Sequence, residues 1–144
     1  MELPKWIEEL EQQALKEIKV IQAPKWVDEF IEEITRYQKV IDETNEENYI
    51  ELIHLKAGMF KYIGKVAARL AEEYKTIYTV RKRIKAIAYI QAGKGKEAVS
   101  EIAVQNIRLI ESKAYGDMKR WNNAFESTQE EINALKYKQR KDEV

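Results

Sequence analysis

Leu52 to Ile87 reads LIHLKAGMFKYIGKVAARLAEEYKTIYTVRKRIKAI, and positions 52, 56, 59, 63, 66, 70, 73, 77, 80, 84 and 87 run through it in steps of three and four. Those positions hold Leu, Lys, Met, Ile, Val, Leu, Glu, Ile, Val, Ile and Ile, so nine of eleven are apolar. Such spacing keeps one face of an α-helix on one side for its whole length. Gly58 and Gly64 interrupt the stretch. Each costs ~1 kcal/mol of helix propensity relative to Ala, so a bend or a close helix contact is expected beside them. The pattern stops at Gly93-Lys94-Gly95, the strongest turn signal in the second half of the chain.

Beyond the turn the same spacing returns in Val99, Ala103, Ile107, Ile110, Ala114, Met118, Trp121, Phe125, Thr128, Ile132 and Leu135, ten of eleven apolar. It fades over Tyr137 to Val144, where fraying is expected. A helix of ~45 residues is ~65 Å long at 1.5 Å per residue, and two of them joined by a short glycine turn predict an antiparallel helical hairpin. Residues beside the seam (Phe60, Ala67, Tyr74, Tyr78, Ala88, Ile102, Tyr115) are also apolar or aromatic. A face wider than one seam predicts that another chain completes the core, so a helical homo-oligomer is expected.

Upstream, Pro4-Lys5-Trp6-Ile7-Glu8-Glu9-Leu10 returns twenty residues later as Pro24-Lys25-Trp26-Val27-Asp28-Glu29-Phe30. A proline followed by acidic residues suits a helix start, because the missing N–H would be unbonded there and the carboxylates face the positive end of the dipole. Two short helices are predicted, from about Pro4 to Ile21 and from Pro24 to about Ile41. Thr44 and Glu47 match a capping box that would open the next helix. The fold class expected is therefore all-α, with acidic N-terminal helical arms over residues 1–44 and a long hairpin over 45–144 turning at 93–95. Trp6 and Trp26, with Trp121 and Phe125, are the expected anchors for docking the arms or for oligomer contacts.

Composition agrees. Of 144 residues 35% are charged and 44% apolar, with only 5 Gly and 2 Pro, which leaves little material for the turns of an all-β or doubly wound fold. The absence of cysteine removes disulfides, thiolate zinc sites and cysteine nucleophiles, and suits a reducing compartment. No apolar run approaches ~18 residues. Glu2, Glu8 and Glu9 stand where a signal peptide needs a basic start, so a cytoplasmic protein with no membrane partner is expected.

Equal numbers of cations and anions, 25 each, conceal a polarity. Residues 1–51 hold 6 Lys/Arg and 14 Asp/Glu, whereas residues 52–144 hold 19 and 11. Between positions 61 and 96, Lys61, Lys65, Arg69, Lys75, Arg81, Lys82, Arg83, Lys85, Lys94 and Lys96 face only Glu72 and Glu73. These ten cations are the candidate nucleic-acid-binding residues. Tyr62, Tyr74, Tyr78 and Tyr89 interleave with them, and single-stranded DNA is held without sequence preference by positive charge along its phosphates and flat side chains against its bases. The competing reading is that the charges pair within the molecule or between subunits as solvated helix faces.

Other chemistry is thinly represented. His54 is the sole histidine, and Glu51-Leu52-Ile53-His54 has the Glu-x-x-His spacing of di-iron sites. One such motif supplies half a site at most, so it reads as helix surface or interface and no metal or cofactor is expected. Ser100, Ser112 and Ser127 have no histidine near them in sequence, and Gly93-Lys94-Gly95-Lys96 lacks the glycine spacing, the hydroxyl residue and the preceding strand of a phosphate loop. An anion at the start of the last helix is the remaining chemistry the turn offers. No catalysis is expected.

The second half resembles phage recombination mediators of the UvsY type. The likeness lies in Tyr49, Tyr62 and Tyr74 on a long helix, then Arg81-Lys82-Arg83-Ile84-Lys85-Ala86-Ile87-Ala88-Tyr89-Ile90-Gln91-Ala92-Gly93, then a second long helix with Trp121 that closes in Glu131-Ile132-Asn133-Ala134-Leu135-Lys136-Tyr137-Lys138. The resemblance covers roughly residues 48–141. It implies a protein of a bacterial host cell that is not an enzyme, binds single-stranded DNA as a ring-like helical oligomer, and helps load a recombinase onto strands covered by single-strand binding protein. It also implies DNA contact through Arg83 and Lys85. The paired Pro-Lys-Trp arms have no counterpart in that pattern. A reading of a different class is a helical interaction or inhibitor protein, for example a phage anti-defence factor, that acts through its acidic N-terminal arms.

Overall fold

The computed structural model describes residues 3–143; Glu2 of the expected acidic start and Val144 of the expected frayed tail lie outside them. The described chain is all-α: α1 Lys5–Ile21, α2 Lys25–Glu43, α3 Tyr49–Gln91, α4 Lys96–Ala103 and α5 Gln105–Asp142. Pro4 and Pro24 stand one position ahead of the arm helices, and their carbonyls accept from the Ile7 and Val27 amides at 3.1 and 2.9 Å. Thr44 does not open α3. Its hydroxyl donates back to the Val40 carbonyl at 2.7 Å and so finishes α2, while Asn48 heads α3 by accepting the Glu51 amide at 3.4 Å. A threonine hydroxyl can satisfy either helix end, and here the C-terminal carbonyls of α2 took it.

The second hairpin helix is also divided. Val104 leaves helical geometry (φ −112°, ψ 8°) and separates α4 from α5, while Ala103, Val104 and Ile107 on either side of the break all lie in the core. At the other end α5 continues through the stretch expected to fray, as far as Asp142.

The chain forms two compact units, and each contains one arm with one half of each long helix. The first unit takes the residues up to Ala23 together with Ala71–Asp117, and the second takes Pro24–Leu70 with the residues from Met118 onward. In the first, Ala14 and Ile18 of α1 bury against Ile77, Val80 and Ile84 of α3 and Val104 and Ile107, with Ile7 packed beside Ala88 and Ala103. In the second, Ile41 of α2 joins Leu52, Met59 and Ile63 of α3, with Trp121, Phe125 and Leu135 of α5 over them. Each fully buried aliphatic side chain of this kind contributes about 1.5–3 kcal/mol.

Within each unit α3 and α5 run antiparallel. Phe60 stacks on Phe125 and Lys56 reaches Glu131 in the second unit, and Tyr74 meets Tyr115 and Arg81 meets Glu111 in the first. Every one of the twenty-two seam positions named from the sequence is buried or half-buried, the polar Lys56, Glu73 and Thr128 included. The glycines serve different ends. A Cβ on Gly58 would stand 2.8 Å from the Tyr37 hydroxyl of α2, so this glycine sets how closely the arm approaches α3. Gly95 takes φ 65°, which turns the chain into α4.

The wide apolar face that predicted a second chain is thus covered in large part by α1 and α2 of the same chain. The four expected anchors also have neighbours within their own units: Trp6 beside Ile7 and Ala88, Trp26 edge-on to Phe30 at 5.0 Å, Trp121 over the second core, and Phe125 against Phe60 at 4.4 Å. Among the described residues no helix is long and apolar enough to cross a membrane.

Candidate nucleic-acid interface

The ten candidate cations separate by their angular position on α3. Residues 77, 80, 84 and 88 point into the core of the first unit. Steps of 100° per residue then put Arg81 and Lys85 on the flank facing α4 and α5, put Arg83 on the flank facing α1, and leave Lys75, Lys82 and Tyr89 along the outer ridge at heptad spacing.

The flank residues are ion-paired. Arg81 Nε donates to both carboxylate oxygens of Glu111 at 2.9 and 2.5 Å, with both side chains nearly buried. Arg83 pairs with Glu17 of α1. Lys85 donates to Glu101 at 2.6 Å and lies 3.8 Å from Glu97. Glu101 also accepts two hydrogen bonds from Arg108, at 2.9 and 2.8 Å. Those bonds, Arg108's first and Lys85's second, hold the Glu101 carboxyl down at about 2, and the same contact raises Arg108. Two cations, Lys85 and Arg108, are matched there by two carboxylates, Glu101 and Glu97, so the cluster offers DNA no net positive charge.

The ridge residues are different. Lys75 and Lys82 are exposed on α3, Lys94 is exposed in the glycine turn, and Lys96 is exposed at the start of α4. The Lys82 ammonium lies 4.9 Å from the Tyr78 ring centroid, and Lys96 lies 5.6 Å from that of Tyr89. Tyr89 is 44% exposed and Ile90 beside it 78%. The first unit therefore presents a strip that alternates lysine with aromatic surface, Lys75–Tyr78–Lys82–Tyr89–Lys96. Of the remaining candidates, Lys61 and Lys65 are exposed in the second unit, Lys65 standing 5.6 Å over Phe30, and Arg69 is half-buried.

Glu17, Glu101, Glu111 and Arg108 are the residues that the charge tally along the chain missed. A signal for two of them was available: an antiparallel hairpin turning at 93–95 sets Lys85 opposite positions near 103 and Arg81 opposite positions near 107, each within about a helical turn of its carboxylate. Glu17 gave no such signal, because its pairing depends on where α1 docks.

Folding also removes the charge polarity between the halves of the chain. Among the described residues the first unit holds 12 Lys/Arg and 10 Asp/Glu, and the second holds 13 and 14. Each acidic arm lies on a basic segment. His54 and Glu51 are both exposed on α3, and no group of three or more His, Cys, Asp or Glu among the described residues is arranged to hold a metal ion.

No family model, curated protein or solved structure matches the chain.

Proposed function

We propose that this protein is a non-catalytic helical protein that binds single-stranded DNA through the lysine and tyrosine ridge of its first unit, acts as an oligomer, and serves as a phage-type mediator that assists a recombinase in displacing single-strand binding protein. The observation that carries the DNA reading is the ridge itself. Lys75, Lys82, Lys94 and Lys96 stay solvated while Arg81, Arg83 and Lys85 are spent on carboxylates. Lys96 lies 5.6 Å from the centroid of the exposed Tyr89 ring, and a lysine so placed can turn to a phosphate and uncover that ring for a base. The recombinase and the single-strand binding protein come from the resemblance alone.

The test is fluorescence anisotropy with labelled single-stranded and duplex DNA at low and moderate salt, comparing the wild type with Lys82→Glu/Lys96→Glu. Preferential, salt-sensitive binding of single strands that the double substitution abolishes is the expected result; no binding at low salt refutes it. A second reading keeps one specific support: Asp28, Glu29 and Glu32 form an exposed acidic face on α2, larger than that of α1, where Glu8 and Glu9 are exposed but Glu11 and Glu17 hold partners in their own unit. An inhibitor acting by acidic mimicry would therefore use α2, and Asp28→Lys/Glu29→Lys would abolish its effect while leaving DNA binding intact.

A further inference from the structure

The α3 ridge is flanked by tyrosines on one side only. Four-residue steps back from Lys82 turn the helix by about 40° each, so Tyr78 and then Tyr74 move off the ridge toward the flank that carries Arg81 and Lys85. Tyr115 of α5 continues the row: its ring centroid lies 5.3 Å from that of Tyr74, which lies 6.4 Å from that of Tyr78. The opposite flank, toward α1, exposes Thr79, Arg83, Ala86 and Ile90, none of them aromatic.

These rings are not equally open. Tyr78 already has Arg81 at 5.1 Å and Lys82 at 4.9 Å from its centroid, and Tyr74 is half-buried between Tyr78 and Tyr115. Tyr115 is 42% exposed and Tyr89 is 44% exposed. Counted along α3 from Tyr74, the neighbour of Tyr115, to Tyr89, the two open rings stand about 22 Å apart at 1.5 Å per residue. The surface between the ridge and α5 is ion-paired, Arg81 with Glu111 and Lys85 with Glu101. Phosphates are therefore left to the solvated ammoniums of Lys75, Lys82 and Lys96.

We infer that a single strand lays its phosphates along Lys75, Lys82 and Lys96 and turns its bases toward α5, where they stack on Tyr115 at one end of the row and on Tyr89 at the other. Tyr115 is then a specificity-determining residue that lies outside every basic cluster in the sequence. The ligand narrows from any polyanion to a strand with unstacked bases, because the base faces inside a duplex are covered by their neighbours and cannot meet a ring. This inference rests on the DNA-binding reading above and adds to it the side on which the bases lie.

The experiment is fluorescence anisotropy on the full chain with two labelled strands of equal length, oligodeoxythymidine and an abasic strand that keeps the phosphates and lacks the bases. The proteins are the wild type, Tyr89→Ala, Tyr115→Ala, Tyr115→Phe and a control, Tyr137→Ala, which removes a ring 67% exposed in the second unit. Circular dichroism checks that helix content is retained. The wild type is expected to bind the thymidine strand more tightly than the abasic one. Losing one stacked base costs about five- to 150-fold in affinity, so Tyr89→Ala and Tyr115→Ala should each weaken binding of the thymidine strand by such a factor and leave the abasic strand unchanged. Tyr115→Phe, which keeps the ring, and Tyr137→Ala should retain the wild-type preference. Equal affinity of the wild type for the two strands, a Tyr115→Ala that weakens both alike, or a Tyr137→Ala that weakens the thymidine strand as much overturns the base contact and leaves the lysine ridge standing. No binding of either strand at low salt refutes the DNA reading itself, and the base contact with it.

Discussion

Salt dependence provides a quantitative separation between the four ridge lysines and the whole basic segment. Binding to single strands weakens with log K falling by about 0.7 per decade of salt for each phosphate contacted. Four ridge lysines, Lys75, Lys82, Lys94 and Lys96, therefore predict a slope of about −3, whereas all ten cations between positions 61 and 96 acting together would give about −7. The difference is large in affinity: a fourfold rise in salt costs about fifty-fold in the first case and more than about ten-thousand-fold in the second. Replacing Lys82 and Lys96 by Ala halves the expected slope and reduces the penalty for the same rise to about sevenfold. Arg83→Gln, which removes a residue already held by Glu17, should leave the slope unchanged. The assay is anisotropy on a labelled oligonucleotide at five or so salt concentrations per protein. A wild-type slope near −7, or a slope that Arg83→Gln lowers and the lysine double substitution does not, would refute the division between paired and solvated cations.

Three other outcomes follow from the packing. Ile77→Ala, at a position with no exposed surface in the core of the first unit, should destabilise the protein by about 2–5 kcal/mol in urea unfolding, while Val20→Ala, at a site 85% exposed, should change the midpoint little. Gly116→Ala meets nothing within 4 Å and should stabilise α5 by about 0.5–1 kcal/mol, whereas Gly58→Ala should fall short of that gain or reverse it, because its methyl group displaces the Tyr37 ring; equal gains at both sites would show that Tyr37 yields freely. Glu101 has a folded-state value near 2, below its unfolded value, so its ionic contacts add stability above about pH 4.5 that is lost as pH falls through about 2. Unfolding curves of the wild type and Glu101→Gln should accordingly converge with acid, and a gap that persists below pH 2 would contradict this origin.

The helices were legible because helix formation is local. Three-four spacing over Leu52 to Ile87 and over Val99 to Leu135, together with Pro4 and Pro24, located the four long elements. It also chose the inward face correctly, since the periodicity that makes a helix amphipathic is the one that buries it. The errors fell where two local solutions compete. Thr44 could cap either neighbouring helix and took the one behind it, and the three-four spacing of buried residues runs on across Val104, so it carries no mark of the break there.

The candidate site was legible only as composition. Arg81, Arg83 and Lys85 are indistinguishable from Lys82 in a list of basic residues, yet α3 turns by 100° at each, and the first three meet Glu111, Glu17 and Glu101 while the fourth meets solvent. Local spacing was enough to establish that the chain is helical, which faces turn inward, and that a duplicated arm precedes a hairpin. That each arm closes one unit's core, and that the acidic and basic halves cancel within each unit, follows from long-range packing alone. Periodicity is a property of neighbours along the chain. Which charge faces which carboxylate depends on docking between segments far apart in the chain, 66 residues between Glu17 and Arg83 and 75 between Lys56 and Glu131, and no local pattern encodes that distance.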